Sequence, residues 1–517
     1  MKKEYLPIIS GFFLAFSWTE IGYFIFVFFA FVPLLFLEER LRLNSPKNAA
    51  LKIFLFSFVS FFIFNIFTTY WIYHATKPGA LIAFLVNSFL MASVFFIYCK
   101  VNFYLKNNLK YIFFISLWIS MEYFHLNWQF SWPWLTLGNI FSTVTEFVQW
   151  YEYTGVLGGT LWILSINILI FLYIKNKLAK HALILFSFFA LPVLFSLYIA
   201  NHYNNSTNLN LKTVVLQPNV DPYLEKFNLD YIQQLKEFIN LSEYHIDSNT
   251  QLLVGPETAL LEQINENNTS TSFSVNAFKE LQKRYPNLNV LVGATTYKIL
   301  GSSDAKTQTA RKFHNRDLYY DVFNSAVFIS KHGDVSFYHK EKLVPGVESM
   351  PLPAFFDKLA KWIVDLGGTS GSLGSYNTIN SFNIDSLIIQ PNICYESIYG
   401  GIDLTNAGVL CVITNDGWWK NTAGYKQHFQ YSRLRAIEKR KPVIRSANTG
   451  ISGIILPNGA ISKKTSWNKK EAFSYDVPIN FTRTFYSIYG DYIARISLFI
   501  VFLFLTITIV NSKLHKK

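Results

Sequence analysis

Six apolar runs long enough to cross a bilayer lie along the chain, at about 53–73, 80–99, 111–128, 156–174, 182–200 and 492–511. The first thirty-seven residues are also apolar but are broken at Trp18-Thr19-Glu20, which predicts two short helices, about 5–18 and 21–37, folded as a hairpin. Met1-Lys2-Lys3 ahead of this stretch mimics a signal peptide. No small-residue cleavage site separates it from the next apolar run, so it is read as an uncleaved membrane segment. Between the seventh and eighth predicted helices the pattern changes. Short β-branched runs (Lys212-Thr-Val-Val-Leu, Leu288-Asn-Val-Leu-Val-Gly, Ser386-Leu-Ile-Ile-Gln, Gly408-Val-Leu-Cys-Val-Ile-Thr) alternate with amphipathic stretches, of which 223–246 and 273–285 read as helices. Strand–helix alternation with Asn and Gly turns predicts an α/β layered domain. Three parts follow: residues 1–205 as a seven-helix transmembrane domain, 206–491 as an α/β domain with its own core, and 492–517 as a last helix with a basic tail.

Charge orients these parts. Basic residues cluster at Lys2/Lys3, Arg40/Arg42/Lys47/Lys52, Lys100/Lys106/Lys110, Lys175/Lys177/Lys180 and Lys513/Lys516/Lys517, and a hairpin at the start puts all five clusters on one side. By the positive-inside rule that side is the cytoplasm. Eight helices with both termini inside are therefore expected, and 206–491 lies outside the cytoplasmic membrane. The formal charge of +13 divides accordingly, with a net +10 in the membrane parts and +3 in the large domain. A basic balance can signal nucleic acid, but 51% hydrophobic and 15% charged residues point to a membrane protein instead. Three cysteines, Cys99, Cys394 and Cys411, form no disulfide framework, and no CxxC or HExxH spacing suggests a metal site.

Three polar positions follow predicted strands. Cys394, in Gln390-Pro-Asn-Ile-Cys-Tyr-Glu-Ser, ends an apolar strand at a turn where backbone N–H groups favour a thiolate and an oxyanion. It could equally be a small buried hydrophobe, the reading that suits Cys411 within Val409-Leu-Cys-Val-Ile. Glu257, after Leu252-Leu-Val-Gly-Pro, could be a general base or an acid stabilising a helix N-terminus. Lys340, in Phe337-Tyr-His-Lys-Glu-Lys-Leu-Val-Pro, reads alone as a solvated charge.

Taken together in this chain order, Glu257, Lys340 and Cys394 resemble the Glu-Lys-Cys constellation of the nitrilase (carbon–nitrogen hydrolase) superfamily, over roughly 212–480. The resemblance rests on Pro256-Glu257-Thr-Ala, Tyr338-His-Lys340-Glu-Lys-Leu-Val-Pro and Ile393-Cys394-Tyr395-Glu396. Asn324-Ser-Ala, Thr414-Asn-Asp-Gly-Trp-Trp and Arg445-Ser-Ala-Asn-Thr-Gly-Ile-Ser-Gly add to it. One branch joins such a domain to seven preceding helices and one following helix: the apolipoprotein N-acyltransferases. Glu122, Trp132-Pro133-Trp134 and Leu137-Gly138-Asn139 also look like that branch, so the resemblance spans the chain. Two positions depart from it: Pro345-Gly346-Val347-Glu348 stands where many members have Pro-Phe-Gly-Glu, and Phe227 stands where members often carry Trp.

The resemblance implies a nitrilase-like αββα sandwich beside the helical bundle, with no metal or cofactor. It implies acyl transfer from a phospholipid sn-1 ester through a Cys394 thioester to the α-amine of a diacylated apolipoprotein, by a monomer in the bacterial inner membrane. Glu257 would be the base, and Lys340 with the Tyr395 N–H would stabilise the oxyanion. Glu348 and Glu396 would orient Lys340 and the amine, unless they are simply surface loop acids. Phe227 would touch lipid. Trp418 and Trp419, Phe355-Phe356 and the 347–377 stretch are candidates for an apolar lid or for interfacial anchors. Two rival readings remain, a membrane-tethered amidase using the same trio on a small amide, and a non-catalytic membrane scaffold or transporter.

Overall fold

The computed structural model describes residues 4–19, 23–105, 108–203, 209–221, 230–301, 307–314, 316–351, 372–375, 381–401 and 406–514. It divides into two compact units, one of residues 1–73, 77–203 and 489–517, the other of 74–76 and 204–488.

In the first unit, five helices among the described residues are long and apolar enough to cross a membrane: Pro46–Thr69, Lys77–Asn102, Val156–Asn176, Ala179–His202 and Tyr492–Lys513. Leu109–Leu126 forms a further helix of 18 residues, just long enough at about 1.5 Å per residue to span. The hairpin begins as expected with helix Tyr5–Ser17. Its second arm differs from the single helix predicted over 21–37, being a 3₁₀ segment Tyr23–Phe28 followed by helix Val32–Asn44 with Pro33 in its first turn. Such a break frees backbone groups that lipid cannot satisfy. Asn167 satisfies them: its Oδ1 accepts from Phe31 N at 2.8 Å and its Nδ2 donates to Val27 O at 2.9 Å. Glu122 is buried in the same way, accepting from Trp118 Nε1 (3.0 Å), Leu137 N (2.9 Å) and Thr160 Oγ1 (2.8 Å). Ala179–His202 exposes Leu183, Phe186, Leu191 and Leu194, the side chains a lipid-facing helix turns outward.

The second unit is built on two sheets, with strands numbered along the chain. The first sheet contains β1 (Asn210–Gln217), β2 (Leu252–Val254), β3 (Leu260–Asn265), β4 (Asn289–Gly301), β5 (Arg311–Lys312), β6 (Tyr319–Ile329), β7 (Val335–His339) and β14 (Glu471–Pro478). Its order is β14-β1-β2-β4-β6-β5, with β3 beside β4 and β7 beside β6. The second sheet, in the order β13-β12-β11-β10-β9-β8, contains β8 (Phe382–Ile384), β9 (Leu387–Ile393), β10 (Val409–Thr414), β11 (Val443–Ala447), β12 (Gly453–Ile455) and β13 (Ile461–Lys464). The apolar runs of the sequence are β1, β4, β9 and β10.

Because strand side chains alternate between faces, β1 buries Val214 and Leu216 against Leu235, Phe238, Phe278 and Leu281 of helices Tyr231–Glu243 and Phe273–Arg284. Asp230 caps the first of these helices by accepting from Ile232 N, and residues 223–229 of the predicted 223–246 lie outside the described residues. On the second sheet Leu410 and Val412 pack against Phe429 and Ala436 of helix Ala423–Lys439. Between the sheets, Ser446 Oγ donates to Leu216 O at 2.7 Å and Phe328 stacks on Phe382 with centroids 4.8 Å apart. A helix–sheet–sheet–helix sandwich results. Parallel pairing of β1 with β2, and of β10 with both β9 and β11, brings the C-terminal ends of these strands to one edge of each sheet.

Candidate active site

The chain emerges from three strand ends into one cluster. β2 stops at Gly255-Pro256, and Glu257 follows. Its loop lies so close to β4 that a Cβ on Gly293 would sit 2.5 Å from Thr258 N and 2.6 Å from the Glu257 Cα. Thr258 itself takes φ +47°, an uncommon conformation for a β-branched residue. Lys340 follows β7, its N–H held by Asn324 O of β6 at 2.9 Å. The Lys340 ammonium is 1% exposed and lies 3.1 Å from Glu257 Oε1 and 2.9 Å from the Glu348 carboxylate. Asn324 Nδ2 donates to both acids at 2.8 Å, Asn415 N to Glu257 Oε2 at 3.1 Å, and Val344 N to Glu348 Oε2 at 2.8 Å. Lys340 Nζ, Asn324 Nδ2, Asn415 N and Val344 N thus all meet carboxylate oxygens, as buried charge requires.

Cys394 ends β9 at φ +51°, in the left-handed region, and opens a 3₁₀ turn over Cys394–Ile398. Such backbone persists only where its surroundings over-determine it, at a cost of about 1–3 kcal/mol. Two contacts fix the turn: Glu396 Oε2 accepts from Ile393 N at 2.8 Å, and Ser397 Oγ donates to Cys394 O at 2.6 Å. Tyr338 OH reaches Glu396 Oε1 at 2.5 Å, tying the cysteine turn to the strand that carries Lys340.

Electrostatics assign protonation states. Burial opposes the Lys340 ammonium, but the Glu257 and Glu348 carboxylates and the Cys394 site hold its pKa well above the ordinary lysine value, so it stays charged. Burial pushes the Cys394 thiol up, as does the Glu257 carboxylate, while Lys340 pulls it down; the balance is well above the ordinary thiol. The resting cysteine is therefore a thiol that needs a base at the moment of attack. Burial also raises Glu396 to about 8, against hydrogen bonds from Tyr338 and Ile393 N that favour its ionised form. A base, a fixed cation and a thiol on a strained turn suit nucleophilic attack on a carbonyl.

Residues 219–486 match the carbon–nitrogen hydrolase family, and residues 10–169 match the apolipoprotein N-acyltransferase N-terminal domain. The chain belongs to the carbon–nitrogen hydrolase family, in its apolipoprotein N-acyltransferase branch. The apolipoprotein N-acyltransferase of Chlorobaculum tepidum is 26% identical to it over 96% of this chain and 95% of its own length. That of Rickettsia prowazekii is 28% identical over 78% of each chain, and that of Thermotoga maritima 23% identical over 95% of this chain and 91% of its own.

Within this carbon–nitrogen hydrolase site, Glu257, Lys340 and Glu348 meet directly. Glu396 is buried rather than on a surface loop, and its hydrogen bonds go to Tyr338 and Ile393 N. Tyr395 is buried beside the cysteine, and Trp418 is half-buried on the turn Asp416–Trp419. Phe227, Phe355 and Phe356 lie outside the described residues, as does most of 347–377. Sequence reasoning passed over Asn324, Asn415 and Gly293 as site residues. Asn324 and Asn415 stood inside recognised motifs, so a signal existed. Gly293, a glycine within a strand, marks a close backbone approach.

Proposed function

We propose that this protein moves an acyl chain from a phospholipid sn-1 ester, by way of a Cys394 thioester, to the α-amine of the N-terminal diacylglyceryl-cysteine of lipoproteins. The observation that carries the reading is the buried Glu257–Lys340–Glu348 cluster, whose charges act on a neutral Cys394 thiol held on a strained turn. Glu257 takes the thiol proton as Sγ attacks the ester carbonyl. Lys340 Nζ and the Tyr395 N–H stabilise the oxyanion. Collapse expels the lysophospholipid oxygen, which receives the proton from Glu257. The lipoprotein amine then attacks the thioester, Glu257 takes its proton, and the thiolate leaves and is reprotonated. Asn324 and Glu348 hold Glu257 and Lys340 in register throughout.

The membrane setting suits lipid substrates. Eight spans, the hairpin counted as two, put both termini in the cytoplasm and 206–491 on the outer side of the inner membrane. The five long apolar helices and the one-sided loop charges support this topology. Phe227 and Trp418 serve lipid contact and the lid. The relatives' names support a lipoprotein acceptor.

The test incubates purified protein with acyl-labelled phospholipid, then with a diacylated lipopeptide. A hydroxylamine-sensitive label on Cys394 should form and then pass to the peptide amine. Cys394→Ser should form no thioester, while Cys411→Ala should keep the wild-type rate. Label appearing only as free fatty acid would support hydrolysis and sink the transferase reading.

A further inference from the structure

We propose that His428 and Ser397 are positioning residues for acyl transfer, holding the Cys394 carbonyl so that the Tyr395 N–H on the same peptide unit is aimed at the oxyanion. The inference rests on the acyl-transfer reading of Cys394.

A trans peptide is rigid and planar, and its C=O and N–H point in opposite directions. Fixing the Cys394 oxygen therefore fixes the Tyr395 N–H. That oxygen lies 2.6 Å from Ser397 Oγ and 3.2 Å from His428 Nε2. Ser397 Oγ and His428 Nε2 are themselves 3.0 Å apart, so the two groups brace one another as well as the carbonyl.

The imidazole is anchored from behind. Its Nδ1 lies 2.9 Å from Asp416 Oδ1 and 3.0 Å from Arg445 Nη2. Arg445 Nη2 donates to Asp416 Oδ2 at 2.7 Å, and Thr414 Oγ1 donates to Asp416 Oδ1 at 2.9 Å. The Trp419 ring stands edge-on to His428 with centroids 5.5 Å apart. His428, Asp416 and Arg445 are all 0% exposed. A dry ionic cluster is costly to build and contributes little net stability. Here it ends on the one peptide whose orientation the chemistry uses.

Ser397, His428 and Asp416 share the connectivity of a hydrolytic triad. The Ser397 hydroxyl, however, is engaged by a backbone carbonyl and only 3% of the residue is exposed, so it reaches no substrate. The role is placement. With Arg445 Nη2 donating to Nδ1, the neutral imidazole carries its proton on Nε2, so Ser397 Oγ and His428 Nε2 both donate to the Cys394 oxygen, polarise the peptide and strengthen its N–H as a donor. The left-handed backbone at Cys394 is what makes such bracing necessary.

The test compares two reactions of Cys394 in full-length protein in detergent, each followed by mass spectrometry of the modified peptide. Acylation by a p-nitrophenyl ester passes through a tetrahedral oxyanion, whereas alkylation by iodoacetamide is a direct displacement without one. For His428→Leu, acylation should fall about ten- to a hundredfold, while alkylation stays within about threefold of wild type. Ser397→Ala should show the same split with a smaller loss, and serves alone if His428→Leu does not fold. His428→Gln, whose amide N–H reaches the Nε2 position, should recover most of the acylation rate. A parallel fall in both reactions, an unchanged acylation rate, or no recovery with glutamine would overturn the proposal. Neither probe is a phospholipid or a lipopeptide. Absence of lipid transfer in unmutated protein would therefore remove the proposed substrates, and the ester-to-alkylation split would still judge His428 and Ser397.

Discussion

Lys340→Met keeps the side-chain length and removes one charge from the centre of the site. The ammonium lies 3.1 Å from Glu257 and 2.9 Å from Glu348. At an effective dielectric of about 20 each contact is worth roughly 5 kcal/mol. Taking the ammonium out of water cancels several kcal/mol of that sum, and breaking a buried pair leaves a net loss of about 3–5 kcal/mol. The loss arises because two carboxylates then share Asn324 Nδ2, at 2.8 Å from each, with no cation between them. Such a pair relieves itself by binding a proton, so Lys340→Met should be most destabilised at high pH. Adding Glu348→Gln removes one of the two stranded charges and should restore about 1–3 kcal/mol, although the same change weakens the wild-type site. Activity should not follow stability. Without the proposed oxyanion stabiliser, single-turnover acylation should fall at least about 10²–10³-fold in both the single and the double variant. Thermal unfolding in detergent and rapid-quench acylation read the two quantities. The reasoning is refuted if Lys340→Met melts like wild type, or if Glu348→Gln destabilises it as much as it does the wild-type protein.

Two further outcomes follow from the same geometry. Gly293→Ala places a methyl 2.5 Å from Thr258 N and 2.6 Å from the Glu257 Cα, so the proposed base must move; acylation should fall by about 10²-fold with the fold retained, as mass labelling and circular dichroism would read. Glu396 has its carboxyl raised to about 8 against an ordinary 4.5, so the unfolded chain loses its proton first as pH rises. Its contribution to stability is complete below about pH 4.5, declines through the window up to about 8 and is gone above it. The melting temperature should drop between pH 5.5 and 8.5, and less so in Glu396→Gln, which cannot ionise; equal slopes would refute the assignment.

The sequence alone made the long apolar helices and the sandwich strands legible, because apolar runs and alternation report burial of residues that are neighbours along the chain. It placed Cys394 at the end of an apolar strand, but the local context alone left open whether the thiol reacts or is a small buried hydrophobe. The order of Glu257, Lys340 and Cys394 carried the family. Their meeting did not follow from any of this. Glu257 and Lys340 are 83 positions apart on strands related only through the register of β2, β4, β6 and β7. Asn415 reaches Glu257 across 158 positions. Glu396 read as a loop acid, because nothing near it in sequence foretells that Tyr338 caps it and that the site seals it from water. The hairpin's second arm read as one helix, because hydropathy does not distinguish a 3₁₀ turn from an α-helix; Asn167, 136 positions from Phe31, is what makes the break tolerable. The Asp416–His428–Arg445 cluster was decided by tertiary structure alone. Asp416 and Arg445 can be buried only as a pair with His428 filling the remaining hydrogen bonds, and sheet register and helix packing, which act at long range, bring the three together.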